Sequence, residues 1–173
     1  LRLIPSKISQ QLLDDDGSIQ RAVETILGSD RVIFIGRGLS SHLVEEGALK
    51  MMEVTYIPCL AYPGGELKHG PIALIEQGTP VVAVAPSDET LPLMESSIRE
   101  CKARGAKIIL IHDEGDDEAA MEADIAISVP STHSVISPLL TVVPLQLLAY
   151  HTAVELGLDV DKPRNLAKSV TVE

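Results

Sequence analysis

The chain has 173 residues, 45% hydrophobic and 23% charged, with one Phe, three Tyr, no Trp and a formal net charge of −11. That length makes one domain and buries roughly 70% of the surface an unfolded chain exposes, so neither a disulfide nor a metal is needed to hold it together. The acidic balance excludes nucleic acid and anionic membrane as natural partners, since both need a Lys/Arg surface; a small phosphorylated ligand stays possible because local cations override a field screened within about 8 Å.

In chain order, residues 5–28 carry apolar positions at helical spacing, first Ile8, Leu12 and Leu13, then Ile19, Val23, Ile26 and Leu27, with Gly17 between the two sets and Gly28 at the end. Two lead-in helices are predicted. Four short β-branched runs follow, RVIFIG at 31–36, PVVAVA at 80–85, KIILIH at 107–112 and DIAISV at 124–129. A fifth, VTYIPCLA at 54–61, is weaker because Pro58 would spoil a central strand. Helices are predicted between them at about 41–53, 66–76, 89–104 and 137–156, the last bent by Pro144 and capped by Gly157. Near-continuous apolar strands alternating with helices predict an α/β protein whose parallel sheet is covered on both faces. Residues 159–173 show no sustained period and are predicted to be a tail.

Cys59 and Cys101 lack CxxC spacing and a clustered His, which predicts reduced core thiols rather than a zinc site. No signal-peptide pattern and no apolar run of about 18 residues is present, so the expected location is cytoplasmic.

Ligands of open parallel sheets bind beyond the carboxyl ends of the strands, so chemistry is expected in the loops after Gly36, Ala61 and Ala85. The helix leaving the first of these carries Glu46, Lys50 and Glu53 within about 60° of one another, and aliphatic residues fill most of its remaining circumference. Two readings of this stripe stand side by side. It is an ion-pair ladder at a solvent edge, worth a few tenths of a kcal/mol per pair, or it lines a cleft where a carboxylate beside a lysine moves protons. A second candidate is His69, set with Glu66 and Lys68 between Gly64-Gly65 and Gly70-Pro71, where an imidazole is placed for acid/base work. His42, His112, His133 and His151 are read as structural. Lys168, in RNLAKSV, reads from composition alone as a solvated charge.

The stretches EGALKMMEVTYI (46–57), GGELKHGPIALI (64–75) and VPLQLLAYHTAVELGLDVDKPRNLAKSVTVE (143–173), with the lead-in LRLIPSKISQQLL, resemble the C-terminal sugar-isomerase (SIS) domain of the glucosamine-6-phosphate synthases over essentially the whole chain. The resemblance implies a three-layer α/β/α SIS domain over 29–158 with a mainly parallel, roughly five-stranded, flavodoxin-like sheet, a lead-in helical segment over 1–28 and a catalytic tail over 159–173. It also implies the conversion of fructose 6-phosphate and glutamine to glucosamine 6-phosphate and glutamate, without cofactor or metal. Lys168 would form a Schiff base with the open-chain ketose, Glu53 would shuttle the proton between C1 and C2, and His69, supplied by a partner subunit of a homodimer, would assist ring opening. Glu46 and Lys50 would support the sugar hydroxyls and the surroundings of Glu53.

Two departures are expected to matter. SIS domains that hold a sugar phosphate use a Ser/Thr-rich SxSGxT loop, whereas the corresponding stretch here is APSDETLP (85–92), where Asp88 and Glu89 repel phosphate and are expected to cap the next helix. A first SIS domain and a glutaminase domain are partners the chain lacks, so it is expected to be the carboxyl-terminal portion of a larger synthase. A stand-alone phosphosugar isomerase or deglycase, and a non-catalytic sugar-phosphate sensor, are the alternatives on the same fold.

Overall fold

The computed structural model describes residues 1–13 and 16–166. Five strands, β1 (Val32–Gly36), β2 (Cys59–Pro63), β3 (Pro80–Ala85), β4 (Lys107–Asp113) and β5 (Ile125–Val129), pair in the order β2-β1-β3-β4-β5, every pair parallel. The helices are α1 (Ile4–Leu13), α2 (Ser18–Ile26), α3 (Leu39–Thr55), α4 (Leu91–Lys102), α5 (Asp117–Ala120) and α6 (Pro138–Glu155). This is the parallel sheet covered on both faces that the strand and helix spacing predicts, in the three-layer, flavodoxin-like form that the resemblance implies.

Period-two alternation splits the core. Val32, Phe34, Val82, Val84, Ile109 and Ile111 point to one face, where they meet α2, α3 and α6 through Val23, Ile26, Val44, Met51, Leu145 and Leu148. Ile33, Ile35, Val81, Ala83, Ile108 and Leu110 point to the other and meet Leu67, Met94, Ile98 and Cys101. Complete burial of Ala22, Val23 and Ile26 makes α2 part of this body. Both cysteines are free, and burial pushes each thiol up to about 12, so neither is a reactive thiolate.

Two expected elements differ. The run at 54–61 is not a strand throughout: Val54 and Thr55 close α3, and β2 begins only after Pro58, at the sheet edge where a missing N–H is tolerated. The helix expected at 66–76 is instead two 3₁₀ turns, Leu67–His69 and Pro71–Leu74, separated by Gly70 at φ 146°. Only glycine takes that angle comfortably, and an α-helix cannot pass through it.

Helix α6 runs unbroken through Pro144. The proline removes the N–H that would bond the Leu140 carbonyl, and Gln11 Nε2 donates to that carbonyl at 3.2 Å, tying α1 to α6. Gly157, at φ 70°, ends the helix as expected: its N–H bonds Val154 O at 2.9 Å and that of Leu158 bonds Ala153 O at 2.9 Å.

Candidate functional site

Helix α3 leaves β1 through Gly36-Arg37-Gly38. A Cβ on Gly36 would lie 2.4 Å from the Ser40 carbonyl oxygen, so only glycine lets the strand turn this sharply into the helix. Beside the turn, at the point where strand order reverses between β1 and β3, lies a hollow of about 700 Å³ lined by Gly38, Leu39, His42, Ser87, Asp88 and Thr90, among others. Carboxylates already occupy its donors. Ser87 gives its N–H to Asp113 Oδ2 (2.9 Å) and its hydroxyl to Asp116 Oδ2 (3.0 Å); Thr90 gives N–H (2.8 Å) and hydroxyl (2.6 Å) to Asp88 Oδ1. A phosphate would have to displace these anions, which agrees with the departure from SxSGxT. The expected capping differs in detail: Asp88 folds the turn ahead of α4, while Thr90 is the N-cap and makes no side-chain cap bond.

The stripe Glu46, Lys50, Glu53 runs from the middle of α3 to its other end. Fourteen residues separate Leu39 from Glu53, about 21 Å at 1.5 Å per residue, so Glu53 lies towards the amino ends of the strands and well away from the hollow. Lys50 Nζ donates to Glu53 Oε2 at 2.8 Å and stands 3.8 Å from Glu46 Oε1. Side-chain exposures of 43%, 37% and 27% for Glu46, Lys50 and Glu53 make the stripe half-open, neither sealed in a cleft nor fully solvated. Leu49 and Met52 are exposed near it, and Val44, Ala48 and Met51 pack inward. The hydrogen bond that Lys50 donates to Glu53, then the charges of Glu53 and Glu46, raise the Lys50 ammonium above its ordinary range against the opposing pull of burial. Lys50 therefore stays protonated at neutral pH and serves as a charge partner, not as an imine-forming amine.

His69 ends the first 3₁₀ turn and is exposed, while Leu67, two residues earlier, is buried in the core as its anchor. Arg37 braces this turn. Its Nη2 donates to Ser97 Oγ at 3.3 Å, Ser97 donates on to the Gly64 carbonyl at 3.1 Å, and a Cβ on Gly65 would come within 3.2 Å of Arg37 Nη1. Among the described residues no hydrogen bond or ion pair joins His69 to the stripe. Of the histidines read as structural, His42 pairs with Glu45 at 3.5 Å, His112 is buried, His133 Nδ1 accepts the Val135 N–H at 3.3 Å, and His151 packs edge-on against Tyr150.

Lys168 lies outside the described residues. The segment leading to it returns to α3: the Arg164 N–H donates to Tyr56 Oη at 2.8 Å and its guanidinium lies 3.8 Å over the Tyr56 ring. Sequence reasoning missed Arg37, Tyr56 and Arg164. The signals were present, an arginine between two glycines and one of only three tyrosines directly after the stripe, but their partners are remote in sequence. Among the described residues no group of three or more His, Cys, Asp or Glu is placed to hold a metal, and no helix is long and apolar enough to cross a membrane.

The family described as SIS domain matches residues 25–156. The chain belongs to the SIS-domain family. This SIS domain is 48% identical over all 173 residues to the glutamine–fructose-6-phosphate aminotransferase (isomerizing) of Caldanaerobacter subterraneus subsp. tengcongensis, and 46% identical over the same span to that of Methanosarcina acetivorans. It spans 28% of the length of each of these curated relatives. In three dimensions it is similar to the C-terminal domain of glucosamine-fructose-6-phosphate aminotransferase from Francisella tularensis, with a TM-score of 0.85 and 38% identity, covering 92% of this chain and 44% of that one. A putative tagatose-6-phosphate ketose/aldose isomerase from Clostridium novyi NT shares the SIS fold at a TM-score of 0.82 and 20% identity, covering 96% of this chain and 44% of that one.

Proposed function

We propose that this chain is the carboxyl-terminal SIS part of the isomerase region of a glutamine–fructose-6-phosphate aminotransferase, working with a first SIS domain and a glutaminase domain in a cytoplasmic homodimer. Residues 29–158 are its SIS unit, 1–28 its lead-in and 159–173 its catalytic tail. The carrying observation is the Glu46–Lys50–Glu53 stripe, left half-open on α3 with the tail returning to Tyr56 beside it.

His69, from the partner subunit, assists opening of the sugar ring. The unprotonated amine of Lys168 condenses with the C2 carbonyl of open-chain fructose 6-phosphate and water leaves; ammonia released from glutamine then displaces the lysine. Glu53 takes a proton from C1 and returns one to C2, giving glucosamine 6-phosphate. Lys50 orients Glu53 through their hydrogen bond, and Glu46 with Lys50 meets the sugar hydroxyls. A neighbouring domain closing over the stripe would exclude water from Glu53 during the proton transfer. Phosphate is held outside this chain, which fits the carboxylate-filled hollow at Ser87.

The test is borohydride reduction of the full-length synthase with fructose 6-phosphate, followed by peptide mass mapping. The sugar is expected on Lys168, and Lys168→Arg is expected to abolish trapping and to lower kcat by about 10³-fold or more. A trapped sugar on Lys50, or turnover by Lys168→Arg near the parent rate, overturns the reading.

A further inference from the structure

We infer that Arg37 is a positioning residue, the brace that fixes the glycine-framed turn carrying His69 and so sets how that imidazole meets the sugar ring. This rests on the ring-opening role proposed above for His69 and adds to it the group, on a different turn of the chain, that orders its backbone.

Ion pairing does not account for Arg37. Arg31 pairs with Glu76, and Arg99 with Glu95 and Glu122, whereas the described residues give Arg37 no carboxylate and leave its buried Nε without a partner. A half-buried cation without a counter-charge is costly, so a neutral side chain would suit the β1–α3 turn better unless the guanidinium serves another segment. The segment it serves is the turn at 64–69. Nη2 donates to Ser97 Oγ at 3.3 Å, which leaves the hydroxyl proton of Ser97, 3% exposed, to point at the Gly64 carbonyl at 3.1 Å. The Gly64 N–H closes the circuit on the Gly36 carbonyl at 2.8 Å, next to Arg37 in the chain. The two glycines are fitted to this brace. Neither has positive φ, so the backbone angle does not call for glycine at 64 or 65; a Cβ on Gly64, however, would stand 2.9 Å from Met94 Sδ and 3.3 Å from Ser97 Oγ, and one on Gly65 3.2 Å from Arg37 Nη1 and 3.4 Å from Nη2. The exposed His69 side chain makes no hydrogen bond or ion pair among the described residues, so its backbone alone aims it. Its N–H bonds the Glu66 carbonyl at 3.0 Å, the Glu66 N–H bonds the Pro63 carbonyl at 2.8 Å, and buried Leu67 anchors the turn from the core side. An acid/base group must be held to within about 0.5 Å of its working position, and Arg37 with Ser97 supplies that hold on the side away from Leu67.

Ring opening breaks the C2–O5 bond of the furanose as the anomeric hydroxyl loses a proton and O5 gains one, leaving a carbonyl at C2. 5-Deoxyfructose 6-phosphate has no hydroxyl at C5, stays open-chain and skips this step. In the full-length synthase Arg37→Ala is expected to lower kcat/KM for fructose 6-phosphate by about 10- to 100-fold, the effect of a misplaced group, and to leave the open-chain analogue at the parent rate. Ser97→Ala keeps the guanidinium and cuts its link to Gly64, so it predicts the same selective loss at about tenfold. Parent kinetics in Ser97→Ala would assign Arg37 to the sugar directly and overturn the brace, as would an equal loss on both substrates in Arg37→Ala. Amide exchange reads the brace without chemistry: a peptide spanning 62–70 should exchange about tenfold faster in both variants while β4, in the core, holds its protection. Exchange of 62–70 at the parent rate in both variants overturns the inference. Failure of the role given to His69 shows elsewhere, as His69→Asn turning over fructose 6-phosphate at the parent rate.

Discussion

Replacing Glu53 by Gln separates the two readings of the α3 stripe, because they differ by orders of magnitude in what the change should do. As a structural element Glu53 makes one ion pair, 2.8 Å from Lys50, with the two side chains 27% and 37% exposed. Pairs of this kind on a helix surface contribute about 0.2–0.5 kcal/mol. Glutamine keeps an oxygen to accept the same hydrogen bond and has nearly the same shape. The expected loss of stability is below about 1 kcal/mol, a fall in melting temperature of under about 4 °C for a domain of this size. As the group that carries a proton between two sugar carbons, Glu53 is worth about 10²–10⁴-fold in kcat, and glutamine cannot take the proton at all. Calorimetry and steady-state synthesis of glucosamine 6-phosphate by the full-length synthase therefore give a clear pair of numbers. A melting temperature within a few degrees and a kcat at least about 100-fold lower is the expected result. Turnover within about threefold of the parent would refute proton transfer at this position and leave the stripe a surface ladder.

Two further predictions concern the scaffold. A Cβ on Gly47 would stand 2.8 Å from Leu145 Cδ2, where α3 and α6 meet and Leu145 is buried; Gly47→Ala gains about 1 kcal/mol in helix propensity but overpacks a closed core, so urea titration should show a net loss of about 1 kcal/mol, and a gain would contradict the close approach. At Asp124 burial acts to raise the carboxyl, but the Ile108 N–H at 2.9 Å and the Lys107 ammonium at 3.0 Å outweigh it and hold it below its ordinary 3.8. Its contribution is thus present above the ordinary value and lost as pH falls through the lowered one; Asp124→Asn should cost about 1 kcal/mol at neutral pH, and that difference should shrink below about pH 4, whereas a pH-independent difference would contradict this.

The candidate site was legible in the sequence where its groups are close along the chain. Glu46, Lys50 and Glu53 share a face because 3.6-residue periodicity alone places positions three and four apart together, and the structure confirms their pairing. The Gly64–Pro71 frame around His69 was visible as breakers, but its conformation was not. Gly70 at φ 146° divides the segment into two 3₁₀ turns, and the brace beneath it, Arg37 through Ser97 to Gly64, joins three segments that no local pattern connects. How the stripe stands to the hollow also escaped local reasoning: the hollow beyond the carboxyl ends is filled with carboxylates, and the stripe runs away from it to Glu53, about 21 Å along the helix from Leu39.

Hydrophobic periodicity by itself determined the alternating elements, the parallel sheet with two covered faces and the charged stripe, because these follow from which side chains must leave water at repeats of 2 and 3.6 residues. Tertiary packing alone decided that β2 lies at the edge, where the residue after Pro58 can open a strand, that Gln11 satisfies the carbonyl freed by Pro144, and that Arg164 returns to Tyr56. Each of these depends on a partner tens of residues away, and a contact of that kind exists only after the chain has closed the intervening loop.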